Sequence, residues 1–202
     1  VSPAAPASPP PFREFVMSLG GADTVAAKGD KKAKVTLVEF SDYECGYCAR
    51  HVKQTLPEIE KQYVKTGKLR YVFRDFPIAS HKLAPKAHEA AACAGDQGKY
   101  WEMHDRLFAN QTALAATALP IHAEVLGLDV RAFKACLDGG KHAERVRKNL
   151  ADGRAAGVTG TPAYFLGLTD SDESRLRVTK MIRGAKTYAF FKDAIETLLA
   201  QN

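Results

Sequence analysis

Two of the four cysteines in this sequence stand two residues apart, as Cys45-Gly46-Tyr47-Cys48. On a helix this spacing puts both sulfurs on one face, where they can close a small disulfide ring. A sulfur attacks only as its thiolate. At the first turn of a helix a thiolate meets unpaired backbone N–H groups and the positive end of the helix dipole. Cys45 is therefore expected to be the exposed nucleophile, with a pKa of roughly 3.5–7, and Cys48 the shielded, resolving thiol. Glu44 opposes that drop, and Arg50 and Lys53 are the cations close enough in sequence to oppose Glu44 in turn.

Metal binding is the rival chemistry for any such pair. A structural zinc site needs four ligands, usually as two close pairs. Here Cys93 and Cys136 stand alone, no histidine lies at paired-ligand spacing near either, and the second ligand pair is missing. No metal and no other cofactor is expected. His51, three residues after Cys48, is expected to point off the helix into solvent.

The elements around the pair must hold and aim it. Residues 35–40 read as a buried strand in which Val35, Leu37 and Glu39 share one face and Thr36, Val38 and Phe40 the other. A strand apolar on both faces is expected to be central and covered on both sides. Glu39 would there be desolvated, with a raised pKa, and could approach Cys48 from beneath as a proton acceptor. The structural alternative is a carboxylate reaching solvent at the strand end. A helical pattern follows through Val52, Leu56, Ile59 and Tyr63, with Pro57 expected to kink it and Thr66-Gly67 to end it. Residues 68–74 read as a strand, paired in parallel through a right-handed crossover.

From His81 to about Gly157 the pattern is wholly helical, with helices expected over 86–95, 98–110, 120–126, 130–137 and 141–156. That is too many for one crossover, so an inserted helical subdomain is expected. His88, His104, His122 and His142 read as surface or packing residues, and His81 opens the insertion and could lie near the site. Cys93 and Cys136 each sit on an apolar helix face. In an oxidising compartment a disulfide is expected, worth roughly 4 kcal/mol in the chain-entropy model; two separate buried thiols are the alternative. After Gly157-Val158-Thr159-Gly160, the Thr161-Pro162 step leads into another strand, and an X-Pro bond is where a cis peptide is accessible. Lacking an N–H, Pro162 would leave a backbone edge free for a peptide substrate to pair as an added strand. A polar loop over 167–174, a strand over 177–182 and an amphipathic helix over 188–199 complete the pattern. Before the first strand, residues 12–19 are expected to dock on the core and 20–34 to form a loop.

The chain has 202 residues, is 46% hydrophobic and carries a net charge of +6 with a pI near 9.1. Its Lys and Arg residues are scattered, without a basic block or aromatic-basic alternation, so nucleic acid is not an expected partner. No apolar run reaches the length of a membrane span. The opening Val1-Ser2-Pro3-Ala4-Ala5-Pro6-Ala7-Ser8-Pro9-Pro10-Pro11 lacks an initiator Met and has the composition of an extended tether. It reads as a link to a cleaved signal or a membrane anchor of an exported domain, or as a trimmed end.

The order strand, Cys-x-x-Cys helix, strand, helical insertion, Thr-Pro, two strands, helix resembles the thioredoxin-like fold, an α/β class, with the inserted all-helical subdomain of the DsbA-like thiol–disulfide oxidoreductases. The motifs that carry the resemblance are Phe40-Ser41-Asp42-Tyr43-Glu44-Cys45-x-x-Cys48, Tyr71-Val72-Phe73-Arg74-Asp75-Phe76-Pro77, Trp101-Glu102-Met103-His104 and Gly157-Val158-Thr159-Gly160-Thr161-Pro162. It divides the chain into an N-terminal segment (1–32), a first thioredoxin-like part (33–80), the insertion (81–156) and a second thioredoxin-like part (157–202). It implies an attacking Cys45, a buried Cys48, a cis Pro162 facing the sulfurs after Thr161, and a buried Glu39. Gly46-Tyr47 departs from the Pro-His of the family's strongest oxidant, so a less oxidising pair is expected.

The expected function is an exported oxidoreductase that introduces disulfides into secreted polypeptides. Its implied partners are reduced or misoxidised secreted polypeptides and a membrane-bound reoxidising protein, and its implied place is periplasmic or otherwise extracytoplasmic. A reductase or isomerase using the same cysteines is the nearest alternative, since Thr161 also resembles the residue before the cis proline of some isomerases. A non-catalytic binding module and a small-molecule thiol transferase stand further off.

Overall fold

The structure, a computed structural model, describes residues 13–20 and 26–201. The Pro/Ala-rich stretch 1–11 lies outside the described residues. Six strands form one mixed sheet: β1 (Phe15–Ser18), β2 (Ala26–Lys28), β3 (Val35–Ser41), β4 (Leu69–Asp75), β5 (Ala163–Thr169) and β6 (Arg175–Arg183). Their spatial order is β1-β6-β5-β3-β4-β2. The pattern of 35–40 explains why β3 takes the middle. With apolar side chains on both faces it gains most where both faces are covered, and all seven of its residues are buried. β4 pairs with β3 in parallel and β5 pairs with it antiparallel.

The helices are α1 (Gly46–Gln54), α2 (Leu56–Ile59), α3 (Ala84–Gly95), α4 (Tyr100–Ala109), α5 (Leu119–Val125), α6 (Val130–Asp138), α7 (Ala143–Ala155) and α8 (Tyr188–Leu199). The two-residue period of the strands sorts the core into two layers. Val35, Leu37, Tyr71, Phe73, Tyr164 and Leu166 pack with Leu56, Ile59, Phe191, Ala90, Met103 and Phe108. Val38, Phe40, Val72 and Phe165 face the other way, with Phe76, Val158 and Leu150. Glu39 follows the first set by alternation, and so lies beneath α1.

Several sequence expectations need correction at the ends of elements. Residues 20–34 are not all loop: Ala26–Lys28 adds to the sheet edge beside β4. Of the segment expected to dock on the core, Phe15–Ser18 does so as a strand, β1, paired antiparallel with β6. β5 runs on to Thr169, so Gly167 and Leu168 belong to the strand and the turn is shorter than expected. The helix after the cysteines breaks before Pro57, not at it. Thr55 caps α1 and Pro57 lies in the first turn of α2, where its missing N–H costs nothing. A π-helical turn, Glu60–Val64, follows, and Gly67 ends the run at φ 73°.

The five helices α3–α7 lie between β4 and β5 in the chain. Cys93 on α3 and Cys136 on α6 are joined by a disulfide, with Cα atoms 5.9 Å apart. α7 crosses to the second layer, and there Gly153 is needed for close approach. A Cβ at that position would stand 2.7 Å from Phe76 and 2.9 Å from Phe40.

Candidate active site

The turn between β3 and α1 is tied down on every side. The Cys45 N–H donates to the Asp42 carbonyl at 3.0 Å, and the Asp42 carboxylate accepts from the Glu44 N–H at 2.8 Å and the Ile78 N–H at 2.7 Å. His81 Nδ1 lies 3.0 Å from the same carboxylate, which places it beside the site turn rather than at the sulfurs. Gln111 reaches in from the loop after α4 and donates to the carbonyls of Tyr43 and Cys45 at 2.7 and 3.1 Å. Tyr43 is packed under the turn, its ring 4.5 Å from His88 and 4.7 Å from Phe108.

Glu44 does not confront Arg50 or Lys53. Its carboxylate accepts from the N–H groups of Leu83 and Ala84, both at 2.7 Å, so it caps α3 and its charge meets that helix's dipole. Arg50 instead lies over the Tyr47 ring, 5.1 Å from its centroid. Gly46 faces open space and Tyr47 is exposed, so no side chain of the intervening pair lies on the sulfurs. A cleft of about 660 Å³ flanks α1, with Gly46, Arg50, Lys53 and Phe108 in its walls.

Cys45 is the N-cap of α1, and its sulfur accepts from the Cys48 N–H at 3.4 Å. Its thiol donates to the Thr161 carbonyl at 3.5 Å. Cys45 is less open than a freely exposed nucleophile, with 6% of its surface accessible, because the chain at Thr161 closes over it; Cys48 has none. The two are free thiols. The Cys45 pKa is lowered to about 6, chiefly by the hydrogen bond from the Cys48 thiol, against the opposing effect of burial. Thr161 and the backbone N–H groups of Cys48 and Tyr47 add to the drop. Burial, followed by Cys45 itself and the charge of Glu39, pushes Cys48 well above the ordinary thiol value. The same two residues thus carry one acidic and one basic sulfur. The Thr161–Pro162 peptide bond is cis. The Pro162 carbonyl accepts from the Gly184 N–H at 2.8 Å, which ties this loop to the end of β6.

Glu39 is fully buried and does not reach solvent. The expectation of a raised pKa is overturned. Burial is the largest influence and acts upward, but His51, Tyr71 and Ser41 together hold the carboxyl below its ordinary value. The Tyr71 hydroxyl donates to Glu39 Oε2 at 2.7 Å. His51 does not point into solvent; it is fully buried, with Nε2 3.3 Å from the same oxygen. Spacing on α1 carried that signal, since a residue three after buried Cys48 shares its inward face, and polarity alone argued against it. Tyr71 was harder to find, because it reaches Glu39 only through the register of the parallel pair, in which Phe73 stands opposite Glu39.

The other histidines are mostly partnered. His88 Nδ1 stands 2.7 Å from Asp75 and His104 Nδ1 2.8 Å from Asp105. His142 Nε2 stands 2.9 Å from Asp96, close to the Cys93–Cys136 disulfide. Bonded to each other, those two sulfurs offer a cation no thiolate.

Residues 22–182 match the family model described as thioredoxin. Among curated proteins the chain is 38% identical to the Na(+)/H(+) antiporter NhaA 1 of Salinispora arenicola over 140 residues, 69% of this chain and 21% of that protein. The chain thus spans about a fifth of the length of the curated relatives it matches. Among solved structures it superposes on alpha-DsbA1 of Wolbachia pipientis with a TM-score of 0.77 at 26% identity, covering 87% of this chain and 90% of the other. BdbD from Bacillus subtilis, in its oxidised form, gives a TM-score of 0.74 at 22% identity, covering 90% and 96%.

Proposed function

The chain belongs to the thioredoxin family, and from that premise we propose that it is a DsbA-like thiol–disulfide oxidoreductase that oxidises pairs of thiols in exported polypeptides through Cys45 and Cys48. A substrate thiolate attacks Cys45 of the oxidised pair, and Cys48 leaves as a thiolate and takes up a proton. A mixed disulfide results. The substrate's second thiolate then attacks the substrate sulfur of that bond, the substrate leaves with its disulfide, and Cys45 departs as a thiolate. The observation that carries this reading is the asymmetry of the pair, with Cys45 lowered to about 6 and Cys48 raised. A thiol of low pKa is a good leaving group, so the mixed disulfide at Cys45 is released readily to the substrate.

Thr161 and Pro162 serve to present substrate. Pro162 has no N–H to give, and the Thr161 carbonyl lies against the Cys45 sulfur, so an extended peptide can lie along this edge. Gly46 and Tyr47 leave the approach open and set the potential. Glu39 acts as the proton acceptor for Cys48. An oxidising, extracytoplasmic compartment agrees with the Cys93–Cys136 disulfide. No helix among the described residues is long and apolar enough to cross a membrane. A membrane-bound oxidant would restore the Cys45–Cys48 bond after each turnover.

Stoichiometric oxidised protein should introduce disulfides into a reduced, unfolded polypeptide, and Cys45→Ser should abolish this. Failure of the wild-type protein to do so removes the oxidase role. A reduction potential near −270 mV, like that of thioredoxin, would mark a reductase instead, and a higher one an oxidant.

A further inference from the structure

His51 is buried without access to solvent, three residues after Cys48 on α1. Its Nε2 lies 3.3 Å from Glu39 Oε2. The rings of Tyr164 and Phe191 hold it in place, with centroids 4.9 and 5.3 Å away. Neither ring nitrogen makes a well-directed hydrogen bond to any described residue, and Glu39 Oε1 has no partner either. An imidazole and a carboxylate buried together with unused donors and acceptors cost stability relative to an apolar pair of similar size. Such arrangements gather where charge is used. Here the unused capacity lies under the thiol that must lose and regain a proton.

We propose that His51 is a positioning residue for proton transfer at Cys48: its ring is the counter-ion that keeps Glu39 able to take the Cys48 proton. The inference rests on the thiol–disulfide reading above and deepens it. When Cys48 attacks a mixed disulfide, the bond between Cys45 and the leaving sulfur breaks and the Cys45–Cys48 bond forms. The leaving group departs as a thiolate, and the Cys48 proton moves to Glu39, with Ser41 near both groups. In the opposite direction Cys48 leaves as a thiolate and the same proton returns. Without His51 nothing charged offsets the burial of Glu39. The carboxyl then keeps its own proton and cannot accept another.

The other groups around the pair do not replace His51. Tyr71 of β4 donates to Glu39 but brings no charge, and burial keeps both it and Tyr164 of β5 neutral. α8 contributes only the apolar face of Phe191 at this point. His104 of α4 feels the Glu39 charge but is bonded to Asp105.

The test follows release of glutathione from a Cys45–glutathione mixed disulfide by stopped flow between about pH 5 and 9. It uses wild type, His51→Phe, Glu39→Gln, the double variant and His51→Lys. General-base catalysis typically contributes about 100-fold or more, so loss of the counter-ion is expected to slow release at neutral pH at least tenfold and move the pH profile upward. Glu39→Gln should do the same, the double variant should be no slower than either single one, and His51→Lys should recover most of the rate. If His51→Phe does not fold, His51→Gln carries the same expectation. A wild-type rate in the His51 variant overturns the inference. So does an equal slowing at all pH values, or single effects that multiply in the double variant. A wild-type protein that forms no mixed disulfide at Cys45 sinks the thiol–disulfide reading itself, a result distinct from these.

Discussion

Cys45 and Cys48 are one helical turn apart and differ in what surrounds their sulfurs. Cys45 caps the helix and accepts from its backbone, while Cys48 lies in the core above a carboxylate. The capping position of Cys45 was legible in the sequence, because its place at the helix start follows from the local pattern, whereas the main cause of its lowered pKa, the Cys48 thiol, is a contact that exists only once the pair is folded. The partners of Glu39 were not legible, since they meet it only once strand register and the inward face of α1 are fixed. We propose that the dipeptide between the cysteines tunes the pair locally. Tyr47 is exposed and puts no charge near Cys45. Tyr47→His adds a cation at the helix start that favours the thiolate, so the Cys45 pKa should fall and the potential rise by about 30 mV for each tenfold change in the exchange constant. Equilibration with a glutathione redox buffer reads the shift. An unchanged or lower potential would show that the dipeptide does not set the poise.

At the scale of elements, what the sequence carried best was type and order, because hydrophobic period fixes both. The edges were lost where tertiary contact decides. β2 is three residues long and has no periodicity to read, and it exists because β4 presents an open edge. The contact of α7 with the sheet was likewise invisible, although Gly153 marked it. This glycine lets the helix lie on Phe40 and Phe76, the residues that flank the cysteine turn. Gly153→Ala puts a methyl group into occupied space and should destabilise the protein by about 1–3 kcal/mol. The midpoint of urea unfolding measures this. A variant as stable as wild type would mean that the layer gives way freely.

Across the whole molecule, a buried polar network joins the sheet to the helices inserted after it. Asp75 at the end of β4 meets His88 of α3 at 2.7 Å, Asn149 of α7 at 2.7 Å and Arg145 of α7 at 3.4 Å. Burial pushes the Asp75 pKa up, but Arg145, His88 and Asn149 more than reverse this and hold it at about 2. An unfolded aspartate titrates near 3.9. The folded value is the lower one, so the stabilisation is complete above about pH 4 and is lost as pH falls through 2. By linkage it amounts to about 2–3 kcal/mol. Urea unfolding at pH 6, 4 and 2 should therefore show a fall in stability that Asp75→Asn makes smaller. An equal fall in both proteins would place the acid sensitivity elsewhere. The network draws on three separate stretches of the sequence, β4, α3 and α7, and no spacing announced that Asp75 and His88 would meet.

The claim on which the rest depends is that Cys45 is ionised at neutral pH in the reduced protein. Thiolate absorbance followed across a pH titration, with mass spectrometry identifying the sulfur that a brief alkylation labels, tests it directly. A midpoint at about 6, with the label on Cys45, is the predicted result; a midpoint near the free-thiol value of about 8.5 would contradict it.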